Sequence, residues 1–316
     1  MKQKIWRRFG NELGLLALLA GLFLLFSCLN SAFFRLGNLQ QLLVQMVELG
    51  FVTLGMSICI ISGGFDLSIG TLTSLCTVAL ALLLANGVNM WLCLGLVLLL
   101  SLLCGAVNGF FIGYLHIQPI LVTLGTSSVF TGIAVLLSKG HAISGLPEEY
   151  LLFGSHYVGV LPLQSLLLLA MVLFSVYLFH GTRWGREVYL LGSNPQAAQF
   201  AGIRCNRALL WVYVYSAAMG FFAGLILSSR LFSGRADLGD NYAMQSVAAA
   251  IFGGVSVSGG KGSVVGALLG VAIFTMISNI FNLLDYSRYL QQAVIGFALL
   301  AVLIYRLWRE KRAVES

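Results

Sequence analysis

The chain has 316 residues, of which 59% are hydrophobic and only 9% are charged, and its mean hydropathy is +0.94. Apolar side chains in this proportion exceed what the core of one water-soluble domain can bury, so the composition indicates a protein of the lipid bilayer. The formal charge of +7 does not indicate nucleic-acid binding, because the 18 Lys and Arg residues are scattered between apolar runs and form no basic face with interleaved aromatic residues.

Ten apolar runs approach the length of about 20 residues that a helix needs to cross the hydrocarbon core of a membrane. The predicted spans are 13–30, 40–62, 67–86, 91–115, 119–138, 163–180, 208–230, 244–257, 263–283 and 289–306. The eighth is short and contains glycine, which predicts half a helix or a re-entrant segment. The sequence therefore predicts an all-α polytopic membrane protein, with one transmembrane domain over residues 1–316 and some helices broken or re-entrant.

The first span follows four basic residues and so looks like a secretory signal peptide. No small-x-small cleavage site follows it, and the sequence LFSC at 25–28 resembles a lipoprotein cleavage site only loosely. We expect this segment to be retained as a transmembrane span.

The positions of Lys and Arg predict the orientation of the chain. With ten spans and a cytoplasmic N-terminus, 13 of these residues lie on the cytoplasmic side and five lie outside, at positions 35, 139, 230, 235 and 288. Positive residues are enriched in the cytoplasmic loops of membrane proteins. Both termini are therefore expected in the cytoplasm.

The residue types that enzymes use are not arranged as a catalytic set. Five of the six cysteines lie inside apolar runs, where cysteine acts as a small hydrophobic residue, and no C-x-x-C spacing is present. The four histidines lie at span ends or in loops, without the spacing of metal ligands. The sequence GGKGS at 259–263 departs from a phosphate-binding loop. We expect no catalytic residue, no metal site and no nucleotide bound by this chain alone.

The stretch ISGGFDLSIG, residues 61–70, joins the second and third spans. It places a carboxylate, Asp66, after the glycine pair Gly63 and Gly64 and before Ser68. Ionisable groups at membrane depth mark translocation paths, partner surfaces or hinges. The alternative is a local one, in which Asp66 caps the third span by accepting from the amide of Ser68 or Ile69. The two interpretations are compatible.

Polar residues inside the other spans are few. Gln41, Gln45 and Glu48 share one face of the second span, and Asn108 lies on the fourth. Such a face suits a cavity for a hydroxyl-rich solute, and for the amides hydrogen bonding between helices is the alternative. Glu48 is different, because a lone carboxylate at this depth must be paired, hydrated or protonated. The candidate residues for a translocation path or hinge are Glu48, Gly63, Gly64, Asp66, Ser68 and Asn108.

The largest inner connection, residues 181–207, contains one predicted short helix. Asn194 is a favourable N-cap, Pro195 suits the first helical position, and Gly202 can end the helix in a left-handed conformation. The loop therefore presents a helix of about two turns.

Three motifs occur in order along the chain: ISGGFDLSIG at 61–70, GSNPQAAQFAGI at 192–203 and GRADLGDNYAMQSVAAAIFGGVSVSGGKGSVVGALLG at 234–270. Together they resemble the permease subunits of ribose-type ABC sugar importers, and the resemblance extends from about the second span to the last. Phe65 departs from it, since these permeases usually have an aliphatic residue there.

The resemblance implies a permease of a bacterial inner membrane that translocates a monosaccharide or small polyol. It implies three protein partners: a second permease subunit, identical or different, a separate ATPase subunit that binds ATP and Mg²⁺, and a periplasmic or lipid-anchored solute-binding protein. It also implies that the helix in residues 181–207 couples the permease to the ATPase. The positions that would carry this coupling are Asn194, Pro195, Ala197, Ala198, Phe200, Ala201 and Gly202.

Other functions remain open at this point. Related permeases suggest a branched-chain amino acid, a nucleoside or a furanosyl signal molecule as the solute. A stand-alone secondary transporter or channel is the alternative from another class. The outer acidic residues could meet a binding protein or form a solvated rim.

Overall fold

A computed structural model gives the structure of residues 2–287, 289–297, 300–301 and 304, with side chains described from residue 12 onward. Its helices are α1 (Lys2–Leu29), α2 (Leu36–Ile61), α3 (Ile69–Ala85), α4 (Met90–Gly113), α5 (Pro119–Ser138), α6 (Leu152–Ser155), α7 (Leu163–Val176), α8 (Arg183–Ser193), α9 (Pro195–Phe200), α10 (Cys205–Leu231), α11 (Tyr242–Phe252) and α12 (Val264–Leu283). The described strands are β1 (Tyr157–Val158) and β2 (Leu161–Pro162), which form one small hairpin. The predicted all-α class is confirmed.

Seven of the described helices are long and apolar enough to cross a membrane, with α7 counted together with the π-helical turn Tyr177–Gly181 that continues it. α3 and α11 are shorter apolar helices. α11 has 11 residues, so it extends about 16 Å, which is roughly half of a hydrocarbon core. The sequence predicted half a helix or a re-entrant segment for the eighth span, and the observed helix has the length of half a span. Of the predicted tenth span, residues 289–297 are helical, and 298–299, 302–303 and 305–306 lie outside the described residues.

Helix α10 lies at the centre of the helix bundle, in contact with α2, α3 and α4. Glycines of α4 make close packing possible, because an added Cβ would lie 2.6 Å from the Tyr213 carbonyl oxygen at Gly105 and 2.7 Å from the Leu210 Cα at Gly109. α2 is 89% buried over its most apolar window, whereas α4 and α5 are each 22% buried. α2 and α10 therefore form the core, and α4 and α5 leave much apolar surface for lipid or another subunit.

Contacts at the helix ends show which segments lie together. The Ser263 hydroxyl, before α12, donates to Glu12 Oε1 of α1 at 2.9 Å. The Gly260 amide donates to the carbonyl oxygen of Ile61, the last residue of α2, at 2.8 Å. The N-terminal helix, the end of α2 and the segment before α12 thus share one end of the molecule. The non-helical residues 253–263 connect the end of α11 to the start of α12 at that end.

Candidate coupling and translocation site

The backbone between α2 and α3 is irregular and buried inside the helix bundle. Gly63 has a φ of +92°, which lets the chain turn away from the α2 axis. The Phe65 carbonyl oxygen accepts from the Tyr213 and Thr123 hydroxyls, both at 3.4 Å. Irregular backbone at membrane depth is stable only where protein groups satisfy its polar atoms. The break is therefore held by side chains of α5 and α10.

Asp66 lies at the centre of a buried hydrogen-bond network and is 1% exposed. Its Oδ1 accepts from the Ser68 amide at 3.1 Å and the Ser68 hydroxyl at 2.6 Å, and its Oδ2 accepts from the Ser216 hydroxyl at 2.7 Å. The Asn108 Nδ2 group donates to Ser68 Oγ at 2.9 Å. The network thus joins the break to α4 and α10.

Asp66 accepts from the Ser68 amide as the local interpretation expected, but Ser68 and not Asp66 is the N-cap residue of α3. The carboxylate also makes a contact that no local pattern reveals. Ser216 lies 150 positions further along the chain, on α10. Asn108 Oδ1 is buried and accepts no hydrogen bond within the described residues. Asp66 is therefore a structural anchor of the break, whereas Asn108 retains one free acceptor.

Glu48 is not a lone carboxylate. Arg230, in the last turn of α10, donates from Nε to Glu48 Oε1 at 2.6 Å and from Nη2 to Oε2 at 3.1 Å. Tyr242, the first residue of α11, donates its hydroxyl to Oε2 at 2.6 Å. The side chain of Glu48 is 3% exposed and that of Arg230 is 28% exposed. The sequence left pairing, hydration and protonation open for Glu48, and the structure shows pairing.

Arg230 was counted from the sequence only as an outer positive charge, and the structure adds its partner. Its guanidinium group is committed to Glu48, and together with Tyr242 it fastens the end of α10 and the start of α11 to α2. The bidentate geometry is the strong form of an arginine–carboxylate pair.

The short helix in the inner connection is confirmed as α9. The Asn194 side chain accepts from the Ala197 amide at 3.0 Å, and Gly202 has a φ of +76°. α9 has six residues, which is slightly less than the predicted two helical turns. Phe200 projects from it and is 93% exposed. This aromatic side chain makes little contact within the chain and is available to another molecule.

Two features of this connection were not predicted correctly. Ala198 is 3% exposed, so it packs inside the chain and is not available to a partner. The connection also contains a second helix, α8, which sequence reasoning missed. Its signals were present: the Thr182 hydroxyl caps it by accepting from the Gly185 amide at 3.2 Å, and Arg183 and Glu187 pair four residues apart at 2.8 Å.

The end of α8 touches the break directly. A Cβ on Gly192 would collide with the carbonyl oxygen of Ile61 and would lie 2.7 Å from the Gly260 amide nitrogen. The Tyr189 hydroxyl donates to the Gly262 carbonyl oxygen at 3.0 Å, and burial raises the pKa of Tyr189 to about 12. The end of α8 is thus in contact with residues 61–63 and 259–262, and α9 follows it directly along the chain.

The sequence of this chain is similar to those of known transport proteins. The family model described as "Branched-chain amino acid transport system / permease component" matches residues 38–303. The Autoinducer 2 import system permease protein LsrD of Klebsiella pneumoniae is 34% identical over 93% of this chain and 91% of its own length. The Ribose import permease protein RbsC of Bacillus subtilis is 34% identical over 96% and 94%. No solved structure matches the chain.

The chain belongs to this transport permease family. The match covers the break, the α8–α9 connection and the half-helix α11. A member of the family is a transport component and not an enzyme, as the sequence predicted. Within the described residues of this permease, no group of three or more His, Cys, Asp or Glu side chains is arranged to hold a metal ion.

Proposed function

We propose that this permease is the membrane-spanning subunit of a binding-protein-dependent ABC importer for a monosaccharide or similar small polyol. Its relatives support the solute class, because one is named a ribose permease and another an autoinducer 2 permease, both 34% identical to this chain. A furanosyl signal molecule is the second candidate solute. Stimulation of ATP hydrolysis by one solute and not the other, in the reconstituted importer, distinguishes them.

The observation that carries the mechanism is the continuous contact between an exposed helix and a buried break. α9 exposes Phe200 at the surface, Gly192 lies eight residues earlier against the Ile61 carbonyl oxygen, and Asp66 anchors the same break to α10. A partner that moves α9 therefore moves the ends of α2 and α3. A switch between outward and inward states needs such differential contacts.

The partners follow from this mechanism. A separate ATPase subunit binds ATP and Mg²⁺ and receives α9, a second permease subunit covers the apolar surface of α4 and α5, and a solute-binding protein delivers the solute from outside. Both termini and the α8–α9 connection lie in the cytoplasm of a bacterial inner membrane. The count of Lys and Arg residues, 13 against five, supports this orientation.

Among the candidate path residues, those whose polar atoms are satisfied within the chain act in the hinge. Both carboxylate oxygens of Asp66 and of Glu48 accept from the permease itself, which supports an anchoring role for each. Gly63, Gly64 and Ser68 shape the break that these anchors hold. Asn108, with its free Oδ1, is the one of the six best suited to face a solute during transport.

Replacing Phe200 with Glu is expected to release the ATPase subunit while the permease still folds. The side chain is 93% exposed, so the change leaves the core intact and removes a central aromatic contact. Interface aromatics of this kind contribute about 2 kcal/mol or more, a factor of about 30 in affinity. The measurement is copurification of the ATPase with the tagged permease. Ala198→Glu is unsuitable, because the alanine is buried.

Tyr157→Glu is the matched control, since this aromatic residue is 44% exposed on the hairpin, which packs at the start of α2, whereas α8 packs at its end. It is expected to retain the ATPase as the natural chain does. Equal retention by Phe200→Glu would mean that α9 is not the docking element.

A further inference from the structure

A cavity lies beside α10, and its lining includes no member of the Asp66 or Glu48 networks. It measures about 870 Å³ and is open to the side of the bundle, between α4, α7, α8 and α10. Its size is in the range of ligand sites in proteins. Its lining divides into a charged end and an apolar end.

The charged end is formed by Arg183, Arg204 and Arg207, with Glu187 as the one acidic group. Arg183 pairs with Glu187 at 2.8 Å, and its side chain is 84% exposed. Arg204 and Arg207 form no ion pair with any described residue. This end therefore carries two uncompensated positive charges, which attract an anionic group.

The apolar end extends along α10, away from the arginines. The lining residues of α10 run from Arg207 to Ala218, a rise of about 16 Å and about half of a hydrocarbon core. The walls are apolar and aromatic side chains from four helices: Leu102, Phe174, Leu178, Trp184, Trp211 and Val214.

The polar atoms along this wall are already engaged, which argues against a sugar as the occupant. The Tyr215 hydroxyl is 2.5 Å from the Ser175 hydroxyl, and Trp184 Nε1 donates to the Ala208 carbonyl oxygen at 3.4 Å. A hydroxyl-rich solute would lose its hydration here without gaining partners. An amphiphile has the matching distribution, with an anionic head at the arginines and an acyl chain against the walls.

We propose that this cavity binds one anionic phospholipid, with its phosphate at Arg204 and Arg207 and an acyl chain along α10 toward Ala218. The basic end lies at the level of the α8–α9 connection, as a headgroup requires, and Trp211, 47% exposed, suits the membrane interface. The inference rests on the proposed orientation only in assigning the lipid to the cytoplasmic leaflet. Because Gly202 also lines the cavity, the lipid would contact the end of the coupling segment.

The test is native mass spectrometry of the full-length permease exchanged into mixed phosphatidylglycerol and phosphatidylcholine. The natural chain is expected to retain one phosphatidylglycerol in preference to phosphatidylcholine. The double variant Arg204→Gln with Arg207→Gln is expected to lose most of this preference, because two basic side chains near an anionic headgroup together contribute a factor of about 30. Excess glycerol phosphate is expected to leave the lipid bound.

The matched control is Arg186→Gln with Lys261→Gln, which removes two exposed positive charges from the same end of the molecule outside the cavity. It is expected to retain the lipid. Equal lipid retention by both double variants would overturn the proposal, as would displacement by glycerol phosphate. A loss of dimer mass in place of lipid mass would assign the cavity to a second copy of the chain and overturn it too. Phe200→Glu should keep its lipid, so failure of ATPase docking remains distinguishable.

Discussion

Replacing Arg230 with Ala is expected to lower the free energy of unfolding by about 3–5 kcal/mol, because the change leaves the Glu48 carboxylate buried without its cation. The loss should be seen first at α11, which Tyr242 joins to the same carboxylate. The measurement is thermal unfolding of the purified permease in a fixed detergent, followed by protease accessibility near Tyr242.

The Arg235–Asp237 pair provides the control for this prediction. Both side chains are about half exposed, at 49% and 58%, and pairs of this kind contribute little to stability. Arg235→Ala should therefore leave the unfolding transition nearly unchanged. A second control, Glu48→Leu combined with Arg230→Met, removes both charges and should recover part of the lost stability. Equal effects of Arg230→Ala and Arg235→Ala would contradict the assigned role of the buried pair.

Replacing Gly192 with Ala is expected to disrupt the junction between α8 and the break. The new methyl group would collide with the Ile61 carbonyl oxygen and would lie 2.7 Å from the Gly260 amide nitrogen, and neither backbone group can rotate away as a side chain could. We expect a loss of about 3 kcal/mol or more in unfolding free energy. ATP-driven uptake should fall more steeply than ATPase copurification, because α9 itself is unchanged.

Gly95→Ala is the matched control, since this glycine lies in α4 with nothing within 4 Å of the added methyl group. It should be neutral or slightly stabilising, as alanine favours a helix over glycine. If Gly192→Ala were equally neutral in stability and uptake, the backbone contact between α8 and the break would have no mechanical role.

The elements that depend on local chemistry were predictable from the sequence. α5 begins and ends at the predicted residues, Pro119 and Ser138, and the cap of α9 by Asn194 follows from the preference of its side chain for that position. The half-helix α11 followed from its short apolar run. In each case the determining contacts lie within a few residues of one another, so a linear pattern contains them.

The site itself depends on contacts between distant residues, which no linear pattern contains. Glu48 and Arg230 are 182 positions apart, and Asp66 and Ser216 are 150 apart. The sequence identified Glu48 and Asp66 as charges that need an explanation, but it could not name their partners. Ala198 is a similar case, because its small size permits both an interface and a buried position, and tertiary packing decided for the latter.

The most direct test of the mechanism is solute uptake into liposomes that contain the purified permease, with and without its ATPase subunit and binding protein. Our account predicts that accumulation against a gradient requires ATP and the ATPase subunit and is lost in Phe200→Glu. Uphill uptake by the permease alone, without nucleotide, would contradict it.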